Sequence, residues 1–532
     1  MRPAARRATV PVAMSLMRLS SLQGSGMIRR SFSSTGSICD SLSARLKDPS
    51  LLKTQSFVGG KWISAYNGNL IKVENPATGE IVAEVSECGS EETRDAIAVA
   101  SEAFKTWSVE SSEKRADLMR KWHALVLEAQ EDFAAIMTAE AGKPLAEARG
   151  EFVSGVQSIE WFAEEAKRVE GETLTHPIPG KKAFTLRSPV GVVGSITPWN
   201  FPFSMITRKV SPAIAAGCTV VLKPSELTPL SALALAELAQ RAGIPDGVLN
   251  VVVGGAREIG GTILDSEVVR KIGFTGSTRV GRLLMEGAAP SVKRVSLELG
   301  GNAPFLVFED ADVAKAAKLI VASSLRNSGQ TCICTNRVLV HESVHDALAA
   351  ALVEECEKIV LGDGFEPGTT QGPLINAAGR DKVEAQIADG LKRGGRVLTG
   401  GKRPVFPEGS KLNNGYFYEP TVVVDAPVDS DLFRVESFGP VTPLFRFKTE
   451  EEAIALANGT EFGLAAYVAT NDLSRALRLA DRIETGMLGI NEAAITSYVA
   501  PFGGVKHSGL GRENSKHGIA EYLDMKTVVI GL

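Results

Sequence analysis

Along residues 90–170, small and aromatic side chains return every three or four positions, as in Ala96, Ala100, Phe104 and Trp107. That period predicts a mostly helical stretch with one stripe turned into a core. From about residue 184 the pattern changes to short β-rich runs separated by helices. Residues 191–196, 219–222 and 248–253 are expected strands. Between the last two, Thr228 is placed to cap a helix, Pro229 suits its first turn, and Gly243 with Pro245 ends it. Strands separated by helices of this length predict parallel βαβ units, a doubly wound sheet and an α/β fold. A fourth strand, 269–274, runs into Thr275-Gly276-Ser277. Ligands of such sheets bind beyond the strands' carboxyl ends. Trp199, Asn200, Lys223, Gly276 and Ser277 should therefore share one rim, where a nucleotide is expected.

A second α/β pattern begins near 304–308 and continues to about residue 500, with Gly-rich surface loops at 394–401 and 411–415. After the breaker-rich Gly503-Gly504 and Gly509-Leu510-Gly511, residues 522–530 are β-favourable. Such a terminal strand pairs either with another subunit or within its own chain.

Composition changes this picture mainly at the amino end. Residues 1–39 hold six arginines, many serines and no acidic residue, with Met14, Leu16, Met17 and Leu19 able to form one apolar face. That is the composition of a mitochondrial transit peptide, and residues 29–33 are a plausible processing region. The expected destination is the mitochondrial matrix; a disordered basic arm is the alternative. Removing those six arginines takes the formal net charge from −4 to −10, which argues against nucleic-acid and anionic-membrane partners. No run of 18 apolar residues suggests a membrane span. The six cysteines (39, 88, 218, 332, 334 and 356) have no framework spacing, as expected in a reducing compartment. His341 and His345 lie four apart without further ligands at metal spacing, so no metal site is expected.

The candidate chemistry centres on Cys332, in Ser328-Gly329-Gln330-Thr331-Cys332, with Glu298 lying 34 positions upstream. A thiol attacks as thiolate, and a nearby carboxylate can serve as base for the thiol or for water. A buried free cysteine is otherwise a small hydrophobe, but Gly329 and Gln330 make a polar setting. Asn200, in Thr197-Pro198-Trp199-Asn200-Phe201-Pro202, offers an amide suited to an oxyanion. No Gly-x-Gly-x-x-Gly joins a strand to a helix, so the usual dinucleotide fingerprint is lacking. The Thr275-Gly276-Ser277 turn still offers donors at a helix start that suit a diphosphate. Lys223 and Glu226 could hold ribose hydroxyls, or could be a surface ion pair; Glu436 is a third candidate sugar ligand. Glu226 would repel a 2′-phosphate and so favours NAD over NADP.

Taken in order, these motifs resemble those of the aldehyde dehydrogenases: 197–202, the lysine motif at 223, 274–277, 298–301, 329–332 and 436–440. The resemblance covers residues 55–532. It implies Cys332 as nucleophile, Glu298 as general base and Asn200 in the oxyanion hole. It also implies a cofactor site drawn from Ile196, Trp199, Lys223, Glu226, Gly276, Ser277, Gly281 and Glu436. The organisation it implies is a transit peptide at 1–33 and an NAD-binding domain at 50–300, interrupted near 172–190 by an oligomerisation hairpin. A catalytic domain at 301–500 and a return segment with an oligomerisation strand at 501–532 follow. A homodimer or homotetramer is expected.

Within the family the chain is most similar to succinate-semialdehyde dehydrogenases, on residues 205–209, Arg326, 332–334, 501–506 and 508–513. That similarity implies that Arg208, Arg326 and Ser497 bind the substrate's carboxylate. Arginine's planar fork suits a carboxylate's two oxygens, although either arginine could instead form a structural salt bridge. One departure is Asn491-Glu492-Ala493-Ala494, where the family more often has glycine after the glutamate. Glutarate semialdehyde or another ω-carboxylated aldehyde is therefore an alternative substrate. Cys334 is a redox-regulatory candidate: a strained disulfide with Cys332 would silence the nucleophile reversibly, and the alternative is a small buried side chain. Two other classes compete. A cofactor-independent thiol hydrolase would want a histidine beside Cys332, and none lies in these motifs. A catalytically silent relative is opposed by the intact Cys332, Glu298 and Asn200.

Overall fold

The computed structural model describes residues 42–532. The expected transit peptide and its processing region lie outside the described residues. Five parallel strands form the middle of an eight-stranded sheet: Val192–Ile196, Thr219–Lys223, Leu249–Val251, Val269–Thr275 and Arg294–Glu298. From Val192–Ile196 the chain steps outward through Thr219–Lys223 to Leu249–Val251, then returns to place Val269–Thr275 and Arg294–Glu298 on the opposite side. The strand order therefore reverses between Val192–Ile196 and Val269–Thr275, and a crevice opens at such a switch point. Register puts Ile196 beside Lys223 and Phe274, and Thr275 beside Glu298, so four expected site segments leave the sheet on one rim.

Helices Ser90–Trp107, Ser112–Glu128, Gln130–Ala141 and Leu145–Glu165 occupy the stretch read as helical. Ala96, Ala100 and Trp107 are buried as expected, while Phe104 is half-buried. The crossover helix Leu230–Arg241 also forms, but Thr228 does not cap it. The Glu140 carboxylate takes that role from another helix, accepting from Leu230 N (2.7 Å), Ser231 N (3.1 Å) and Ser231 Oγ (2.5 Å). An anion at a helix amino end is favoured by the unpaired N–H groups there. Burial still pushes the Glu140 carboxyl up to about 7 against those donors.

A second, seven-stranded sheet has the order Arg396–Thr399, Thr421–Val424, Val441–Phe447, Thr335–His341, Ala303–Val307, Ala465–Ala469, Met487–Ile490. All its neighbours are parallel except the first pair. The terminal strand, Leu523–Gly531, pairs antiparallel along its length with Lys181–Pro189 of its own chain, which also pairs with Thr173–Leu174. Just upstream, Gly509–Leu510 joins the first sheet beside Glu298 and Leu297. Two further bonds fasten this return segment, from Leu299 N to Ser508 O (2.8 Å) and from Ser508 Oγ to Gly300 O (2.8 Å). The segment holding the candidate base is thus clamped from near the chain's end. Among the described residues no helix is long and apolar enough to cross a membrane.

Candidate active site

A cleft of about 330 Å³ opens at the switch point, lined among others by Asn200, Arg208, Ser277, Arg326, Cys332 and Glu436. Cys332 follows a tight turn in which Asn327 (φ 51°), Ser328 (φ 57°) and Gly329 (φ 76°) are all left-handed. A Cβ at Gly329 would lie 2.0 Å from Gly439 O, so close backbone approach fixes that position as glycine. Asn200 donates from Nδ2 to Gln330 O (2.9 Å), leaving its second amide hydrogen for another acceptor. Burial pushes the Cys332 thiol far above its ordinary range, and the Glu436 and Glu298 carboxylates push the same way against Arg208.

Glu298 ends its strand 3% exposed, with Oε2 unpartnered, behind the cleft wall formed by Leu299 and Gly300. Burial first, and then the Glu513 carboxylate, raise its pKa well above the usual carboxylate value; Lys209, Arg512 and Arg208 oppose them. Lys209 donates from Nζ to Thr275 Oγ1 (2.6 Å) and also to Glu513 Oε1.

The cofactor candidates divide into two groups. Trp199, Gly276, Ser277 and Glu436 line the cleft, and Trp199 meets Phe438 edge-on at 5.5 Å. Ser277 caps helix Thr278–Ala288 and leaves that helix's amino end facing the cleft. A Cβ at Gly276 would lie 2.4 Å from the Phe274 ring. Glu436 accepts from Gly301 N (2.9 Å), and burial pushes it up to about 7. Ile196, Lys223, Glu226 and Gly281 stand outside this lining. Lys223 is buried and donates to Glu226 at 2.5 Å, while the Glu226 side chain is 43% exposed. Gly281 lies inside the helix, where a Cβ would meet Leu299 at 2.4 Å. A helix amino end and a buried glutamate along the cleft, with a Lys–Glu pair at the end of a strand on the same rim, fit a dinucleotide's diphosphate and two riboses.

Arg208 is 6% exposed, stacks over the Phe502 ring at 4.9 Å and has an unpartnered Nε. Arg326 lies over Phe201 at 5.2 Å. Both line the cleft, and neither forms an ion pair among the described residues, which removes the structural salt-bridge reading. Ser497 is not part of the lining; its Oγ accepts from Val499 N (3.4 Å), and the neighbouring Thr496 faces the cleft instead.

Residues 62–528 match the aldehyde dehydrogenase family. The chain belongs to that family. It is 53% identical over 491 residues to the mitochondrial succinate-semialdehyde dehydrogenase of Arabidopsis thaliana, covering 92% of each chain. To the glutarate-semialdehyde dehydrogenase of Pseudomonas putida it is 51% identical, covering 92% of this chain and 100% of that one. The crystal structure of an NADP-dependent enzyme from Escherichia coli superposes with a TM-score of 0.89 at 50% identity, over 92% of this chain and 100% of that one. Aldehyde dehydrogenases oxidise aldehydes with NAD or NADP, so the thiol-hydrolase alternative falls away.

In this aldehyde dehydrogenase, Lys209 and Glu513 fell within the segments that carry the resemblance but were given no role by the sequence, and Lys382 was given none either. Lys382 lines the cleft beside Glu436, whose charge opposes the lowering of its pKa by burial. No local signal marked these residues; a lysine's burial shows only after folding. Cys334 is buried, and its S–H points to Arg326 O at 3.7 Å. Burial pushes that thiol up to about 12. Cys332 and Cys334 are both free thiols. Among the described residues no group of three or more His, Cys, Asp or Glu could hold a metal ion.

Proposed function

We propose that this aldehyde dehydrogenase oxidises succinate semialdehyde to succinate with NAD in the mitochondrial matrix. The observation that carries the substrate is the pair Arg208 and Arg326, two guanidiniums without carboxylate partners in the cleft that holds Cys332. Arg208 is buried without an ion-pair partner, which is costly, and a substrate carboxylate would supply one. The succinate-semialdehyde dehydrogenase relative supports this reading, and the glutarate-semialdehyde dehydrogenase relative supports the longer alternative.

With the carboxylate held at one end, the aldehyde carbon reaches Cys332 Sγ. The Cys332 thiol gives its proton to water, and attack by the resulting thiolate makes an oxyanion, which takes the second Nδ2 hydrogen of Asn200 and the Cys332 backbone N–H. A bound nicotinamide ring would supply the hydride acceptor, and loss of the hydride would leave the acyl group as a thioester on Cys332. Glu298 then takes a proton from water as its oxygen attacks the thioester, releasing the acid and restoring the thiolate. Lys223 and Glu226 hold the adenosine ribose, Gly276 and Ser277 the diphosphate, and Glu436 the nicotinamide ribose. Oxidation of the Cys332 and Cys334 thiols to a disulfide by a peroxide, which is reduced to water, and its reversal by a thiol reductant belong to this proposal as its redox control.

The test is NADH formation from succinate semialdehyde, glutarate semialdehyde and butanal. A preference for the four-carbon acid supports the proposal, and equal rates with butanal would remove the carboxylate pocket. Preference for glutarate semialdehyde would assign the longer substrate; one methylene is worth roughly 1–3 kcal/mol in such a pocket. For the cofactor, Glu226→Ser should raise kcat/KM with NADP by roughly tenfold, because a like charge beside a phosphate costs several kcal/mol before screening. An unchanged NAD/NADP ratio would take that role from Glu226. The basic, serine-rich segment and the mitochondrial relative support the matrix location. Leu523–Gly531 is paired on one side only and exposes Met525, Val529 and Ile530, which supports a homodimer or homotetramer built partly on that edge.

A further inference from the structure

Three charged residues spaced four apart, Lys143, Glu147 and Glu151, are aimed at backbone groups of the site. Lys143 Nζ donates to Asn200 O (2.7 Å) and to Glu151 Oε2 (2.6 Å), and it lies over the Phe201 ring at 4.4 Å. The Lys143 and Glu151 side chains are 1% and 0% exposed. Glu151 Oε1 accepts from Phe203 N (2.9 Å) and Ser204 N (3.1 Å), closing the amino end of helix Ser204–Ala216, which carries Arg208 and Lys209. Glu147 Oε1 accepts from Asn327 N (2.8 Å), at the first residue of the left-handed turn before Cys332. Asn327 Nδ2 donates back to Asn200 O (3.1 Å).

We propose that this trio is a brace that sets the oxyanion hole, with Lys143 as the positioning residue for Asn200. The inference rests on Asn200 acting as the oxyanion donor. Burying an ion pair gives little net stability over an apolar pair of similar size, so fold stability alone is a weak reason to place one here. Its geometry supplies another. One ammonium ties the carbonyl of the amide donor to the carboxylate capping the helix that carries Arg208. That carboxylate belongs to Glu151 on helix Leu145–Glu165, and Glu147, one turn earlier on it, ties this helix to the turn that presents the thiol. The nucleophile, the oxyanion donor and the carboxylate-binding arginine are thereby referred to one element. A misplacement of about 1 Å in such a site can lower the rate roughly 10²-fold.

Lys143→Met alone would strand the Glu151 carboxylate and could unfold the chain, so the comparison uses two charge-neutral pairs. Lys143→Met/Glu151→Gln and Lys143→Gln/Glu151→Gln both remove the buried ion pair and leave the Asn327 Nδ2 bond to Asn200 O in place, but only the second keeps a side-chain donor at position 143. The readout is the single-turnover rate of NADH formation, with the KM for aldehyde and the Tm measured alongside. The methionine pair should lose roughly 10–100-fold in that rate at little change in KM, and the glutamine pair should recover most of it. Equal losses in the two pairs would overturn the brace as a positioning device. Asn200→Ala separates this inference from the reading beneath it. In that background the methionine pair should cost nothing further, and a full additional loss would also overturn the proposal. An Asn200→Ala enzyme with undiminished rate would instead remove the oxyanion assignment, and the brace with it.

Discussion

Replacing Glu298 with glutamine should let the first turnover proceed and block the second. Glutamine keeps the size and much of the polarity of the side chain but cannot accept the proton of an attacking water. The thioester on Cys332 should therefore persist after the hydride has left, and NADH should appear as a burst of about one per site. Steady-state turnover should then fall by roughly 10²–10⁴, the usual contribution of a positioned general base. Wild-type activity should also decline as pH falls through the Glu298 pKa, because only the carboxylate form can take the proton. Burial and Glu513 raise that pKa, so the acid limb should stand well above the ordinary 4.5. Glu298→Gln should abolish the limb along with the turnover. Stopped-flow absorbance with a pH series of kcat/KM checks both. A burst slowed as much as the steady state would make Glu298 the base for the thiol; unimpaired turnover would deny it any role.

Arg208→Gln and Arg326→Gln should each cut kcat/KM for succinate semialdehyde by roughly 10²-fold or more. Removing one partner of a desolvated charge pair costs about 2–5 kcal/mol, and each factor of ten is about 1.4 kcal/mol. Butanal should lose little, since it brings no carboxylate. Stability should move the other way for Arg208: its guanidinium is buried and burial lowers its pKa, so a neutral side chain relieves a desolvation cost. The combination of a lower kcat/KM for the acid, an unchanged value for butanal and a Tm held or raised is hard to produce by general damage. Equal losses on both aldehydes would mean that the arginines shape the site without recognising the substrate.

The parts of this molecule readable from its residues were those encoded locally. Strands broken by glycine and proline gave away the parallel sheet, and the carboxyl-end rule gathers Asn200, Lys223 and Ser277 on one rim from the sequence alone. Interactions between distant segments were not readable in this way. The residue capping Leu230–Arg241 lies 90 positions upstream, at Glu140, so the adjacent Thr228 was a reasonable but incorrect choice. Lys209 and Glu513 are 304 residues apart, and no spacing rule joins them. Ser497 missed the cleft by one position in an irregular segment, where no period fixes which side chain faces inward. The terminal strand's partner was likewise open, because β-favourable residues specify a strand and leave its neighbour undetermined.

Gly509–Leu510 lies beside Glu298, and Leu523–Gly531 runs along Lys181–Pro189. During synthesis the base-bearing strand therefore waits for more than two hundred further residues before its last neighbour leaves the ribosome. A nascent chain stalled before that point lacks the clamp on Glu298, so competence to consume aldehyde follows the synthesis of Gly509–Leu510.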